Sequence, residues 1–346
     1  MYFHRDIFEE KAREQGKSNA FIESSLAYVD KLNSMQLPVI FSLKHLAVTL
    51  DISYKKISHM IKFPNEYYNT FRLRKKSGGV RIIQAPKPEL KIIQKWIYVH
   101  ILKNIKVDSS CTGFTVGSST SKVARMHQNK EVVLKLDLEN FYDNIDRNQV
   151  YYVFKSIGYK DHVAIDLAKL TTVNPIKTQR NVFILPQGAP SSPSLSNLVS
   201  RNLDRRLRLL SEKVNVIYTR YADDLTFSGE KKNMPSLKLV TKIISEEGFQ
   251  VNNKKTSYQK KGNKQIVLGL TVSNDVHVPK KFKREIWTHI KYCKKYGPVK
   301  HLININQANR ASYKDWLYGR ICYVKSVELK VGEKMMEEFN LIDWPF

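Results

Sequence analysis

The 346-residue chain has no apolar run approaching the roughly 18 residues that a membrane span requires. Its opening, MYFHRDIFEEKAREQG, has no signal-peptide core. Cysteine is scarce. Cys111, Cys293 and Cys322 are odd in number, far apart and never in a C-x-x-C pair. That argues against a disulfide framework or a structural zinc site, and it fits a reducing, cytoplasmic compartment. No internal repeat or low-complexity linker interrupts the chain. Acidic residues are outnumbered, with 32 Asp and Glu against 58 Lys and Arg, for a formal net charge of +26. An excess of this size, spread along the whole chain, marks a polyanionic partner, and nucleic acid is a better fit than an anionic membrane surface. The hydrophobic content of 42% is ordinary, and the length allows two or three subdomains around a sizeable core.

Residues 1–65 read as helical and basic, with Leu43, Leu46, Leu50, Ile57 and Ile61 at helical spacing. FRLR and VRIIQA then read as two strands joined by the basic turn KKSGG, and PELKIIQKWIYVHILKNI as a helix opening on proline and an acid. EVVLKLDLENFYDNID begins as a buried strand and runs into a turn. After helical segments to about residue 172, VFILPQGAPSSPSLSN gives a short strand, a turn and a helix start. NVIYTRYADDLTFSGE, residues 215–230, reads as a hairpin with two acids at or near its tip. A helix around 235–248 and a strand, KQIVLGLTVS, follow, and residues 279–346 look helical and basic. Strands interrupted by helices, with antiparallel hairpins, give an α+β class.

Asp223 and Asp224 repel each other, and neither is cheap to desolvate. Taken alone, the pair would be a solvated turn. Asp137, at the end of the buried-type strand VVLKLDL, has a helix N-cap as an equal alternative when taken alone. If the two strands are neighbours, three carboxylates converge. Such a cluster in a basic protein makes sense as a Mg²⁺ site, since that ion takes hard oxygen ligands and keeps positions for water and phosphates. Two ions would activate a hydroxyl and stabilise a leaving pyrophosphate. In RKKSGGVR, Arg74, Lys75, Lys76 and Arg81 can meet a triphosphate, although a solvated basic hairpin is the commoner use of such a turn. Gln187 and Gly188 of LPQGAPSSPSLSN can support a templating base, or simply enter a helix. Lys255 of NNKKT can act as a general acid toward the leaving phosphate, or sit on the surface.

In order and spacing these segments resemble a reverse transcriptase from about residue 65 onward. LKLDLENFYDNI is similar to the first palm motif, QGAPSSPSLSN to the second and YADD to the third, with GFQVNNKKT and IVLGLTVS similar to the next two. The resemblance implies a right-hand polymerase fold: an N-terminal helical region (1–65), fingers (66–125), a palm with an antiparallel sheet (126–275, with fingers segments about 147–185) and a helical thumb (276–346). It implies two Mg²⁺ ions, with Mn²⁺ as a substitute, held by Asp137, Asp223, Asp224 and the carbonyl of Leu138. Tyr142 would be the aromatic gate that clashes with a 2′-hydroxyl.

Within that family the chain looks most like the bacterial retron type, through RLRKKSGGVRIIQAP, LKIIQKWI and LYGRICYVKSVE. It departs from that type in two places. VARMH keeps Ala124 and His127 but has Val123 where the type has Asn, and Val267, Leu268 and Gly269 stand where it has Val-Thr-Gly. Both elements are associated with recognition of the cognate RNA. The retron type implies a structured non-coding RNA as template and primer, dNTPs as substrates, and a branched RNA–DNA product (msDNA). It also implies a role in phage defence with an effector protein, and no membrane partner. A reverse transcriptase of another bacterial lineage (abortive-infection, diversity-generating or intron-derived) and a non-catalytic RNA-binding scaffold are the competing readings.

Overall fold

The computed structural model of the chain describes residues 4–74, 78–174 and 182–345. Two compact units are present. One comprises residues 1–114, 138–206 and 241–251, the other residues 115–137, 207–240 and 252–346.

The first unit opens with four helices, Arg5–Glu14, Asn19–Ser34, Leu43–Thr49 and Tyr54–Lys62. Serine side chains at positions 18, 42 and 53 each accept a backbone N–H and start the last three of them. Strands β1 (Tyr68–Arg74) and β2 (Val80–Pro86) then pair antiparallel, with Arg74 opposite Val80 and Arg81 opposite Leu73. Helix Pro88–His100 follows, with proline in its first turn. Its Gln94 is buried and donates to the Tyr68 hydroxyl and the Leu170 carbonyl. Helices Arg147–Ile157, Asp161–Thr171 and Ser192–Val199 also belong to the unit, the first opened by a reciprocal Asp146–Gln149 capping box.

The second unit is built on an antiparallel sheet of four strands: β3 (Val132–Asp137), β4 (Ile217–Tyr221), β5 (Asp224–Gly229) and β6 (Ser257–Lys260), in the order β4-β5-β3-β6. Period-2 alternation sorts its side chains. Leu134, Leu136, Leu225 and Phe227 lie on one face, while Asp137, Lys135, Asp224, Thr226, Ser228 and Thr219 share the other. KQIVLGLTVS, expected as one strand, is two: β7 (Ile266–Val267) and β8 (Leu270–Thr271). Leu268 and Gly269 between them take left-handed φ of 47° and 81°, which folds the run back on itself.

The C-terminal helices Lys280–Tyr296, Pro298–Asn304, Tyr313–Val327 and Leu329–Asn340 close this unit. One buried cluster joins Ala124, Val133, Val267, Leu270 and Val272 to Ile286, Ile290, Leu317 and Ile321. In this unit, therefore, sheet residues and C-terminal helices share one core.

Candidate active site

The YADD segment is the two-residue turn of the β4–β5 hairpin. Ala222 and Asp223 form the turn, and Asp224 is the first residue of β5. Ala222 takes a left-handed φ of 55°, a conformation that costs an L-residue roughly 1–2 kcal/mol. The buried Arg220 side chain donates to the Ala222 carbonyl at 2.9 Å. Register places Asp137 directly opposite Asp224, so the carboxylates at the end of β3 and the tip of the hairpin share one sheet face. Burial first, and then the charges of Asp223 and Asp137, push the Asp224 carboxyl above its ordinary range against the opposing pull of Lys135.

Lys255 completes the group. The Asn252 amide donates to the Asp137 carbonyl at 2.8 Å, laying the turn Asn253–Lys255 against the end of β3. From there the Lys255 ammonium donates to both carboxylate oxygens of Asp137, at 2.8 and 2.9 Å. That bond, reinforced by the charges of Asp137, Asp223 and Asp224, holds the Lys255 pKa above the usual lysine range. The three carboxylates offer hard oxygen donors, the type that Mg²⁺ takes. No three His, Cys, Asp or Glu side chains among the described residues converge as a metal-holding group.

Several expected nucleotide-site residues come together in the first unit. Tyr142, Gln187 and Gly188 line one cavity of about 290 Å³ with Lys91, Ala189, Pro190, Ser192 and Pro193. Tyr142 packs edge-on against Phe141, which in turn packs on Phe249. The Gln187 carbonyl accepts from the Gln84 amide at 2.7 Å, tying the loop to β2. Gly188 has φ 122°, and a Cβ there would meet Ile83 at 2.9 Å and the Gln84 carbonyl at 3.1 Å, so the close approach needs glycine. Leu138 is buried and bridges Val251. Arg74 and Arg81 are exposed on the β1–β2 hairpin, and Lys75 and Lys76 lie outside the described residues.

The expected RNA-recognition residues divide. Gly269 is exposed at the β7–β8 turn. Ala124 and His127 are fully buried. The His127 ring bonds Ser228 Oγ at 2.7 Å and Thr219 Oγ1 at 2.8 Å. Burial, with a further push from Lys130, lowers its pKa to about 3. Arg220, Lys135 and Lys91 were not singled out from the sequence, though a charged residue inside an apolar alternation, as in VIYTRY and VVLKLDL, is a signal for the first two.

A protein-family model described as reverse transcriptase (RNA-dependent DNA polymerase) matches residues 73–272. The retron Ec86 reverse transcriptase of Escherichia coli is 30% identical over 319 residues, covering 89% of this chain and 96% of that protein. The retron Mx65 reverse transcriptase of Myxococcus xanthus is 38% identical over 255 residues, covering 68% of this chain and 59% of that protein. For the retron Mx162 reverse transcriptase of the same organism the figures are 32% over 259 residues, 67% and 53%. The aligned region thus spans between half and three-fifths of the two Myxococcus proteins' own length. The chain belongs to the reverse transcriptase family, of α+β class with the right-hand polymerase fold and its antiparallel palm sheet, and within it to the bacterial retron type. Among solved structures, apo telomerase from Candida tropicalis has a TM-score of 0.46 at 14% identity, covering 81% of this chain and 58% of that one. Telomerase from Candida albicans with a telomeric RNA fragment has 0.43 at 10%, covering 80% and 66%.

Proposed function

We propose that this chain is an RNA-directed DNA polymerase that copies a cognate structured non-coding RNA into branched, RNA-linked single-stranded DNA, in the service of phage defence. The observation that carries the reading is the pairing of Asp137 with Asp224 across adjacent strands, with Asp223 in the turn and Lys255 held among the three charges. Asp137, Asp223 and Asp224, with the Leu138 carbonyl, would hold two Mg²⁺ ions, or Mn²⁺ in their place. Bound there, the ions would acidify the attacking hydroxyl and neutralise the departing pyrophosphate.

In each addition the hydroxyl oxygen bonds the α-phosphorus of a dNTP, the bond to pyrophosphate breaks, and the hydroxyl proton is lost. Lys255 is kept protonated by its carboxylate neighbours, so it brings positive charge to the pyrophosphate, and as the general acid it would give its proton there. Tyr142 discriminates against a 2′-hydroxyl, Gln187 and Gly188 shape the nucleotide cavity, and Arg74, Lys75, Lys76 and Arg81 meet the phosphates. In this reading residues 66–125 are fingers, 126–275 palm with fingers segments about 147–185, and 276–346 thumb, behind an N-terminal helical region 1–65.

The basic surface grips the RNA and the RNA–DNA hybrid by backbone and shape, and base pairing supplies sequence. Among the described residues no helix is long and apolar enough to cross a membrane. The partners are the non-coding RNA and an effector protein of the same system, and the place of action is the cytoplasm.

The test is to express the native locus, purify the protein and sequence the nucleic acid that accompanies it, with Asp223→Asn in parallel. The reading expects a discrete DNA joined to a specific RNA from the wild type, and from the variant the same RNA without DNA. Identical RNA and no DNA from both would mean a scaffold. DNA of mixed sequence would mean a different template use.

A further inference from the structure

The hairpin bearing Asp223 and Asp224 turns through a left-handed alanine, and the placement of its two acids depends on how firmly the strands behind the turn are locked together. Behind it stand two hydroxyls on the carboxylate-bearing face of the sheet. Thr219 on β4 lies four residues before Asp223, and Ser228 on β5 lies four residues after Asp224. His127, which caps the C-terminal end of the helix Thr120–Met126, reaches both. Its Nδ1 is 2.7 Å from Ser228 Oγ, its Nε2 is 2.8 Å from Thr219 Oγ1, and the residue is 0% exposed. A neutral imidazole carries one N–H and one bare nitrogen, and a hydroxyl can donate or accept, so both contacts are satisfied in either tautomer. With its pKa near 3 the ring is neutral throughout the physiological range. The cross-strand separation is large in sequence, 101 residues to Ser228 and 92 to Thr219, so this contact is a tertiary clasp and not a local turn.

We propose that His127 is a positioning residue of the polymerase site: it clasps β4 to β5 four residues behind the catalytic turn and thereby fixes where Asp223 and Asp224 stand relative to Asp137. It touches neither nucleotide nor RNA, and it acts through Thr219 and Ser228. The inference rests on reading the three aspartates as the metal-binding carboxylates of a polymerase. Outer groups that orient a metal site change its affinity or activity by about 10–100-fold when removed, and small misplacements of reacting groups have effects of about the same size.

The experiment uses the full chain with His127→Leu, which removes both bonds. His127→Gln and His127→Asn place an amide near the Nε2 and Nδ1 positions, respectively. Ser228→Ala and Thr219→Val are made alone and combined with His127→Leu. Single-turnover primer extension gives the rate per active site, with active sites counted from the burst. Filter binding gives RNA affinity, and electron paramagnetic resonance gives Mn²⁺ binding in the absence of RNA and nucleotide.

The proposal expects His127→Leu to slow each active site and to weaken Mn²⁺ binding by about tenfold or more, with RNA affinity and nucleotide KM unchanged. Gln and Asn should each restore part of the loss, and the hydroxyl substitutions should add little to His127→Leu. If His127→Leu does not fold, the amide and hydroxyl variants carry the same comparison. A lowered active fraction with normal rate and Mn²⁺ binding per site would overturn the proposal in favour of packing alone. Lost RNA affinity with a normal rate and normal Mn²⁺ binding would overturn it in favour of RNA recognition. If the wild type makes no DNA on any template, the polymerase reading fails, while the Mn²⁺ comparison still decides whether His127 places the carboxylates.

Discussion

At the scale of the residue, a buried imidazole leaves a measurable imprint on stability. His127 titrates near 6.5 when unfolded and at about 3 when folded, chiefly through burial. Its depressed pKa means that the unfolded chain binds the extra proton first. The stability it contributes is therefore complete above about pH 6.5 and drains away as pH falls toward 3. Linkage gives a loss of about 2 kcal/mol at pH 5 from this group alone. Denaturant unfolding at pH 5 and at neutral pH should show a smaller difference for His127→Gln than for the wild type. His289, lowered by burial and by His301 to about 4, contributes to both proteins alike. In the proposed reading Tyr142 acts on the substrate. Tyr142→Ala should raise ribonucleotide incorporation relative to deoxynucleotide by about tenfold or more, read from competitive extension, and unchanged discrimination would refute the gate. The meeting of Asp137 with Asp224 was legible only as a condition: each acid alone reads as a turn or a cap, and they converge because β3 and β5 are neighbours. Arg220 and the true place of His127 were not legible. A buried polar side chain declares its role only through partners, and those of His127 lie 92 and 101 residues away.

At the scale of the element, local pattern carried far. The β1–β2 and β4–β5 hairpins and the Pro88–His100 helix fall where periodicity and turn chemistry put them. KQIVLGLTVS did not, because an apolar run gives no notice that a leucine–glycine pair will take two successive left-handed conformations. The loop at Gln187 and Gly188 shows a different limit. Its composition announces a turn, but only the fold reveals that Gly188 lies against β2. Gly188→Ala should cost ~1–3 kcal/mol, from the positive φ and the contacts with Ile83 and the Gln84 carbonyl. Thermal unfolding should report a lower midpoint, and steady-state kinetics a raised nucleotide KM. An unchanged midpoint would mean that β2 yields to the added methyl.

For the whole molecule, charge is the leading fact. A net +26 predicts that RNA affinity is dominated by counterion release. Between 50 and 200 mM salt, binding should weaken by roughly 10³–10⁵-fold if about 6–10 phosphates are neutralised. A shallow dependence in a salt titration would mean that few of these lysines and arginines face nucleic acid. Composition announced this much; it was silent on which segments share a core. In the second unit that core runs from Val133 and Val267 to Leu317 and Ile321. Exchange of parts between relatives is constrained accordingly. A chimaera spliced at the Lys280–Tyr296 helix would sever this cluster and set one parent's Val267, Leu270 and Val272 against the other's Ile286 and Ile290. A transplant that begins at residue 252 carries those partners together and leaves Ala124, Val133 and the β3 edge that pairs with β6 to be matched in the host. The exchangeable module of this protein is thus the C-terminal helices together with the strands that precede them.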